Sequence, residues 1–177
     1  MTTIRKQIGK NLAICSVTAV IMLVINQYTD KIRTSEQGLA LIGNAEGCYQ
    51  QPYQCPADVL TVGIGSTEAS GQKITQRHYS LEEIAARWVR DIQRAEACVN
   101  RYANGRNMPQ GAFDALTSIT FNVGCGKMKS STLYKMAMNG YSPAMCDQFP
   151  RWVYANGKVL KGLVDRRNKE RARCLIS

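Results

Sequence analysis

Glu46, Cys55 and Thr61 follow one another with eight and then five residues between them, and Val62-Gly63-Ile64-Gly65 follows the threonine directly. A carboxylic acid whose pKa is raised by partial burial can deliver a proton near neutral pH. A free thiol has a pKa of about 8.5 and becomes an anion only with help from its surroundings. A threonine hydroxyl can hold a water molecule. Together the three could supply an acid, a negative charge and a positioned water. Singly, each has a plain reading. A glutamate at a helix end is normally a solvated surface residue, a cysteine can be structural, a threonine suits a strand through its β-branch, and the two glycines can serve only a turn.

The elements needed to position these residues are legible as patterns. Thr34, Ser35, Glu36 and Gln37 form a capping-box pattern that predicts a helix through Leu39, Leu41 and Ile42, ending near Glu46 and Gly47. Residues 49–71 are rich in turn formers, with β-prone pieces around 59–64, and predict a small hairpin sheet. Ser80 to Glu83 is a second capping box, opening a long helix through Ile84, Trp88, Ile92 and Ala95 to about residue 105. A helix from Met108 and Pro109 runs through Phe113, Leu116 and Ile119 to Asn122, Val123 and Gly124. Helices over 131–139 and 143–153 follow, and a basic helix over 162–174 completes the chain. The fold class is α+β, a small hairpin-sheet lobe plus a mainly helical lobe.

Composition narrows the class. Hydrophobic residues at 45% and charged residues at 20% exclude a wholly disordered chain. A net charge of +10 favours polyanionic partners. No RNP, zinc-finger or helix-turn-helix pattern accompanies it, so nucleic acid is not the expected partner. One histidine, His78, argues against a His-rich metal site, and no Cys/His ligand spacing occurs, so neither metal nor cofactor is expected.

The first 30 residues read as a segment of their own. Arg5, Lys6 and Lys10 precede an uncharged run from Leu12 to Ile25, after which Asn26 to Asp30 are polar. The run is shorter than the about 20 apolar residues of a spanning helix, and Cys15, Ser16 and Thr18 weaken it. No small-residue cleavage site follows it. The expectation is an uncleaved, weakly held export segment associating transiently with the inner membrane through residues 11–25. Its N-terminus lies in the cytoplasm and the rest outside. The division is thus 1–30 and 31–177. Seven cysteines, namely Cys15, Cys48, Cys55, Cys98, Cys125, Cys146 and Cys174, fit an oxidising compartment, and an odd number leaves at least one thiol unpaired.

The ordered set Glu46, Cys55, Thr61 and Gly63-Ile64-Gly65 resembles the catalytic signature of the bacteriophage-type lysozymes, glycoside hydrolase family 24. Phe121-Asn122-Val123-Gly124 resembles that family's cleft helix end. Arg151-Trp152 and Gly162 through Arg167 resemble its C-terminal helices. The weak anchor, the cysteine at the middle catalytic position and Cys15 within the anchor resemble the signal-arrest-release endolysins of that family. The resemblance implies a lysozyme-like fold with a cleft between the lobes, preceded by a signal-anchor helix. It also implies hydrolysis of the β-1,4 bond between N-acetylmuramic acid and N-acetylglucosamine in peptidoglycan, with inversion, for host cell lysis. Glu46 would be the acid, Cys55 would take the place of a carboxylate that activates water or steadies positive charge on the sugar, and Thr61 would position water. Gly65, Ser66, Phe121, Asn122, Arg166 and Arg167 would line the substrate site. Arg166 or Arg167 would also orient Glu46. Ser66 stands where many relatives carry histidine.

The same resemblance frames the cysteines. Cys98–Cys125 and Cys146–Cys174 would be structural bonds. Cys15, Cys48 and Cys55 would form a switch, in which Cys48–Cys55 masks the catalytic sulfur and Cys15–Cys48 frees it once the anchor leaves the membrane for the periplasm. The expected enzyme is a monomer. The alternatives are an inactive peptidoglycan- or membrane-binding relative, a cationic membrane-disrupting protein, and a transglycosylase of the same fold. If Cys55 is not catalytic, Asp58 is the next carboxylate to consider.

Overall fold

The computed structural model describes residues 13–55 and 57–176 of the chain. Arg5, Lys6, Lys10 and Leu12, the basic start and first residue of the apolar run, lie outside the described residues. Contacts sort the chain into two compact units: the chain through Lys31 together with Glu46–Asp91, and Ile32–Ala45 together with the chain from Ile92 onward.

In the first unit, α1 (Val17–Tyr28) opens at Ser16, whose side chain accepts from the Ala19 N–H at 3.2 Å. Val20, Ile21 and Val24 form a buried stripe at helical spacing, while Met22 is half exposed. The helix runs three residues past Ile25, so the polar Asn26, Gln27 and Tyr28 continue it rather than end it. Among the described residues no helix is long and apolar enough to cross a membrane. The segment before α1 is stitched to β1 (Tyr49–Gln54). Cys15 N–H donates to the Cys48 carbonyl at 3.0 Å, Gln50 N–H donates to Ala13 at 2.8 Å, and Ile14 bridges Tyr49. Strand β1 pairs antiparallel with β2 (Leu60–Gly63), which pairs with β3 (Ser66–Thr67). The result is a three-stranded meander.

The second capping box forms as written in the sequence. Glu83 N–H donates to Ser80 Oγ at 3.1 Å and Ser80 N–H donates to Glu83 Oε2 at 2.9 Å. It opens α3 (Leu81–Tyr102). Arg77 clasps the same carboxylate through both its terminal nitrogens, at 3.0 and 2.7 Å.

In the second unit, most of α2 (Glu36–Glu46) starts from a different cap than its pattern suggested. Ser35, not Thr34, accepts from Gly38 N–H at 3.2 Å, and Leu39 closes the first turn onto the Ser35 carbonyl. The reason is a competing acceptor: Glu96 takes the Thr34 hydroxyl and N–H, each at 2.6 Å, and the Arg33 N–H at 2.8 Å. Helix α4 (Gln110–Val123) is buried from Gly111 through Thr120 and packs chiefly against α8 (Lys161–Leu175). A helix enclosed on all sides needs no polar stripe. Short helices α5 (Cys125–Met128), α6 (Thr132–Met138) and α7 (Pro143–Cys146) surround the core with Phe113, Leu116, Ile119, Met128, Leu133, Tyr134 and Phe149.

The helix expected over 143–153 is a correction. It stops at Cys146, and a single 3-10 turn, Phe149–Arg151, follows. Pro150 has no N–H to extend an α-helix and its ring crowds the preceding turn. Beyond it lies a hairpin that the sequence reading missed, β4 (Tyr154–Ala155) and β5 (Lys158–Val159), turned by Asn156 and Gly157 with φ of +50° and +73°. Asn-Gly is the turn chemistry that such a two-residue loop requires.

The Arg77 hydrogen bond, with that from the Ser80 N–H, lowers the Glu83 pKa from 4.5 to about 2. A depressed carboxylate contributes stability that is fully present above its unfolded pKa and is lost as pH falls through the folded value. Glu83→Gln should therefore lower the melting temperature at pH 7. The deficit should shrink between about pH 4.5 and pH 2, read by circular dichroism melts across that range.

Candidate active site

Glu46 is the last residue of α2 and is half-buried. Its carboxylate lies against the turn between β2 and β3. A Cβ placed on Gly65, which has φ of +68°, would sit 3.0 Å from Glu46 Oε2 and 3.2 Å from its carboxyl carbon. The glycine thus serves two needs: a left-handed backbone, and the absence of a side chain where the acid rests.

Strand β1 leads from there to Cys55, a half-buried free thiol. A tight turn holds it: Cys55 N–H donates to the Val59 carbonyl at 3.0 Å, and the Cys55 carbonyl accepts from Asp58 N–H at 2.8 Å. Asp58 is exposed with φ of +61°, a conformation aspartate tolerates better than most residues. Thr61 is buried, and its hydroxyl donates to the Val59 carbonyl at 3.0 Å. That bond leaves the hydroxyl oxygen as an acceptor. Ser66 is buried and donates to Asp91 Oδ2 at 2.5 Å, so its hydroxyl is engaged by a carboxylate on α3.

Tyr53 was missed by sequence reasoning. It stands directly opposite Thr61 across β1 and β2, with its ring edge-on to Tyr49 at 4.7 Å. Its pKa is pushed up to about 12 by burial first, then by the charges of Glu46, Tyr49 and Cys55. The hydroxyl therefore lies within electrostatic reach of both candidate groups and stays protonated at physiological pH. Strand alternation was the available signal, since Tyr53 stands two residues before Cys55.

In the second unit, Phe121 is half-buried and Asn122 exposed at the end of α4. Arg166 and Arg167 are both buried, at 7% and 1% exposure, around the fully buried Glu170. Arg166 Nε reaches Glu170 Oε1 at 3.2 Å, and Ser118 Oγ donates to the same oxygen at 2.6 Å. Arg167 donates to Glu170 Oε2, to the Trp152 carbonyl at 3.0 Å and to Asn122 Oδ1. Glu170 also escaped the sequence reading, although its spacing of three and four residues from the arginines places all three on one helix face.

The cysteines pair as Cys15–Cys48, Cys98–Cys125 and Cys146–Cys174. Among the described residues no cluster of three or more His, Cys, Asp or Glu could hold a metal ion.

The chain has relatives among known proteins. The chain matches the phage lysozyme family over residues 43–170. It is 39% identical over 174 residues to the SAR-endolysin of Escherichia phage P1, covering 92% of this chain and 91% of that one. Its structure is similar to the active form of the P1 phage endolysin Lyz, with a TM-score of 0.84 at 39% identity over 93% of this chain and 96% of that one. It is also similar to the secreted inactive form of that endolysin, with a TM-score of 0.56 at 40% identity over 80% and 95%. A lysozyme-like fold, mostly helical with small antiparallel sheets, therefore carries the glutamate, cysteine and threonine. The chain belongs to the phage lysozyme family and is a lysozyme, a glycoside hydrolase. Within that family its likeness to a SAR-endolysin extends over nearly the whole chain.

Gly65→Ala tests the seating of the acid. The new Cβ must push Glu46 aside, and a left-handed alanine costs about 1–2 kcal/mol. Activity against cell-wall suspensions should fall at least about tenfold, a shift of about 1.4 kcal/mol in the barrier. The loss of stability in urea melts should stay near the backbone cost alone.

Proposed function

We propose that the chain is a muramidase endolysin. It hydrolyses the β-1,4 bond between N-acetylmuramic acid and N-acetylglucosamine in peptidoglycan, it is exported while tethered through residues 11–25, and it becomes active when that tether is released. The observation that carries the reading is the cysteine arrangement: Cys48 is bonded to Cys15, and Cys55 is a free thiol at the end of β1, the strand that follows the candidate acid's helix.

The chemistry follows from the residues. Glu46 protonates the departing glycosidic oxygen as the bond to the anomeric carbon breaks. Cys55, as thiolate, supplies negative charge, either taking a proton from the attacking water or steadying the cationic sugar. Thr61 accepts a hydrogen bond from that water, because its own proton is committed to Val59. Tyr53, held protonated, is a neutral donor opposite Thr61 across β1 and β2.

Activation is an exchange without an external oxidant. The Cys15 thiolate attacks Cys48 Sγ in a Cys48–Cys55 bond, the Cys15–Cys48 bond forms, and Cys55 leaves as thiolate. Burial of Val20, Ile21 and Val24 in the same unit as Cys48 supports a released segment that folds onto the enzyme. The greater likeness to an endolysin's active form than to its secreted inactive form supports the same assignment.

The test is peptidoglycan hydrolysis by a variant set, each full-length protein assayed in its membrane-tethered and in its released form. Glu46→Gln and Cys55→Ser should lose activity by about 100-fold or more. Cys48→Ser, which cannot mask Cys55, should be active while still tethered. Mass spectrometry of the products should show hydrolysed reducing ends rather than 1,6-anhydro sugars. Full activity in Cys55→Ser would remove the thiol from the mechanism, and lysis by Glu46→Gln would favour a membrane-disrupting protein instead.

A further inference from the structure

The buried arginine pair around Glu170 has a consequence for what the end of α4 offers a ligand. Arg167 is 1% exposed, so its guanidinium is positioned to act through neighbours. Three of its donors are aimed: at Glu170 Oε2, at the Trp152 carbonyl and at Asn122 Oδ1. Glu170 is itself held by Arg166 and Ser118, so the clamp has no loose member on its inner side.

A guanidinium can only donate. It therefore decides which way the Asn122 amide turns. The oxygen must point inward to Arg167, and the NH2 group must point to the exposed side. An asparagine on an open helix end would otherwise sample both orientations and present donor or acceptor equally. Here the surface receives donors.

We infer that Arg167 is a positioning residue that fixes Asn122 as a hydrogen-bond donor to an acceptor oxygen on the glycan strand. The strongest neutral acceptor that recurs along such a strand is the carbonyl of the N-acetyl group; hydroxyl, ring and glycosidic oxygens accept more weakly. The inference rests on the muramidase reading and deepens it, by assigning one source of selectivity for N-acetylated sugar. Arg167 touches no sugar in this scheme. Asn122 does, and it does so with a polarity set by a side chain that solvent scarcely reaches.

Asn122→Asp separates the two roles of the amide. An aspartate still pairs with Arg167, so the clamp and the fold survive, but it presents an acceptor where a donor stood. With soluble, uncrosslinked glycan strands as substrate, Asn122→Asp should raise KM roughly tenfold or more, the range seen when a polar recognition contact is left mismatched. Its kcat should stay within about twofold, and its melting temperature should be no lower than that of the unmodified chain. The ratio of kcat/KM for N-acetylated over chemically N-deacetylated strands should fall in this variant, because a carboxylate accepts from the exposed amine. An unchanged ratio with a raised KM would assign the contact to a carboxylate of the lactyl or peptide group and overturn the N-acetyl assignment.

Arg167→Lys tests the clamp itself. It should raise KM and lower thermal stability, and adding Asn122→Ala to it should raise KM by less than about twofold further, since the amide is already unfixed. Full additivity of the two substitutions overturns the positioning role, as does wild-type KM in Asn122→Asp. Glu46→Gln is assayed beside them. If it is inactive while Asn122→Asp binds normally, only the inference about Asn122 and Arg167 fails. If Glu46→Gln hydrolyses glycan at full rate, the catalytic reading fails and takes this one with it.

Discussion

Cys48 can bond to one sulfur at a time, and that valence limit organises the first unit. With Cys15 as its partner, residues 13–15 are held beside β1 by a covalent bond and by the two backbone hydrogen bonds that make up the Ile14–Tyr49 bridge. Cys55 is a free thiol just past the far end of β1. A cross-link spanning 33 residues lowers the entropy of the unfolded chain by a few kcal/mol in the loop-closure description. Under the proposed exchange, position and reactivity would depend on a single choice of partner: the bond that docks the N-terminal segment would also be the bond that frees the thiol.

The segment itself is balanced between environments. Burying an aliphatic side chain from water contributes about 1.5–3 kcal/mol, so Val20, Ile21 and Val24 are well accommodated in the folded unit. Lipid tails are as apolar as a protein core, so a helix leaving a bilayer gains little from that exchange. Half-exposed Met22 and exposed Ile14 lose by it. Under the proposed tether, the disulfide and the backbone bonds to β1 are what the folded state adds, and they supply the preference that hydrophobic transfer does not.

The second unit is organised by buried charge. Glu96, Asp114 and Glu170 are nearly or fully enclosed, and each is met by several donors: Arg33 and Thr34 backbone for the first, Ser35 and Arg173 for the second, Ser118, Arg166 and Arg167 for the third. A buried charge left unpaired costs several kcal/mol, so each carboxylate dictates the placement of its donors more strictly than apolar contacts would. The displaced cap of α2 is one result, since Glu96 claims Thr34 and leaves Ser35 to the helix. The fixed rotamer of Asn122 is another.

Much of this was written in local pattern. The second capping box, the long α3, the stop at Gly124 and the glutamate, cysteine and threonine spacing can be read directly, because each depends on residues a few positions apart and on backbone chemistry that does not change with context. The hairpin turn at Asn156 and Gly157 was equally legible as turn chemistry, and Pro150 as a helix stop. What tertiary structure alone decided were the contests between distant groups: which hydroxyl caps α2, which partner Cys48 holds, how far burial and neighbouring charge raise the pKa of Tyr53, and which end of the Asn122 amide faces outward. In each case two or more partners of similar intrinsic strength compete for one atom, and only the fold sets their distances.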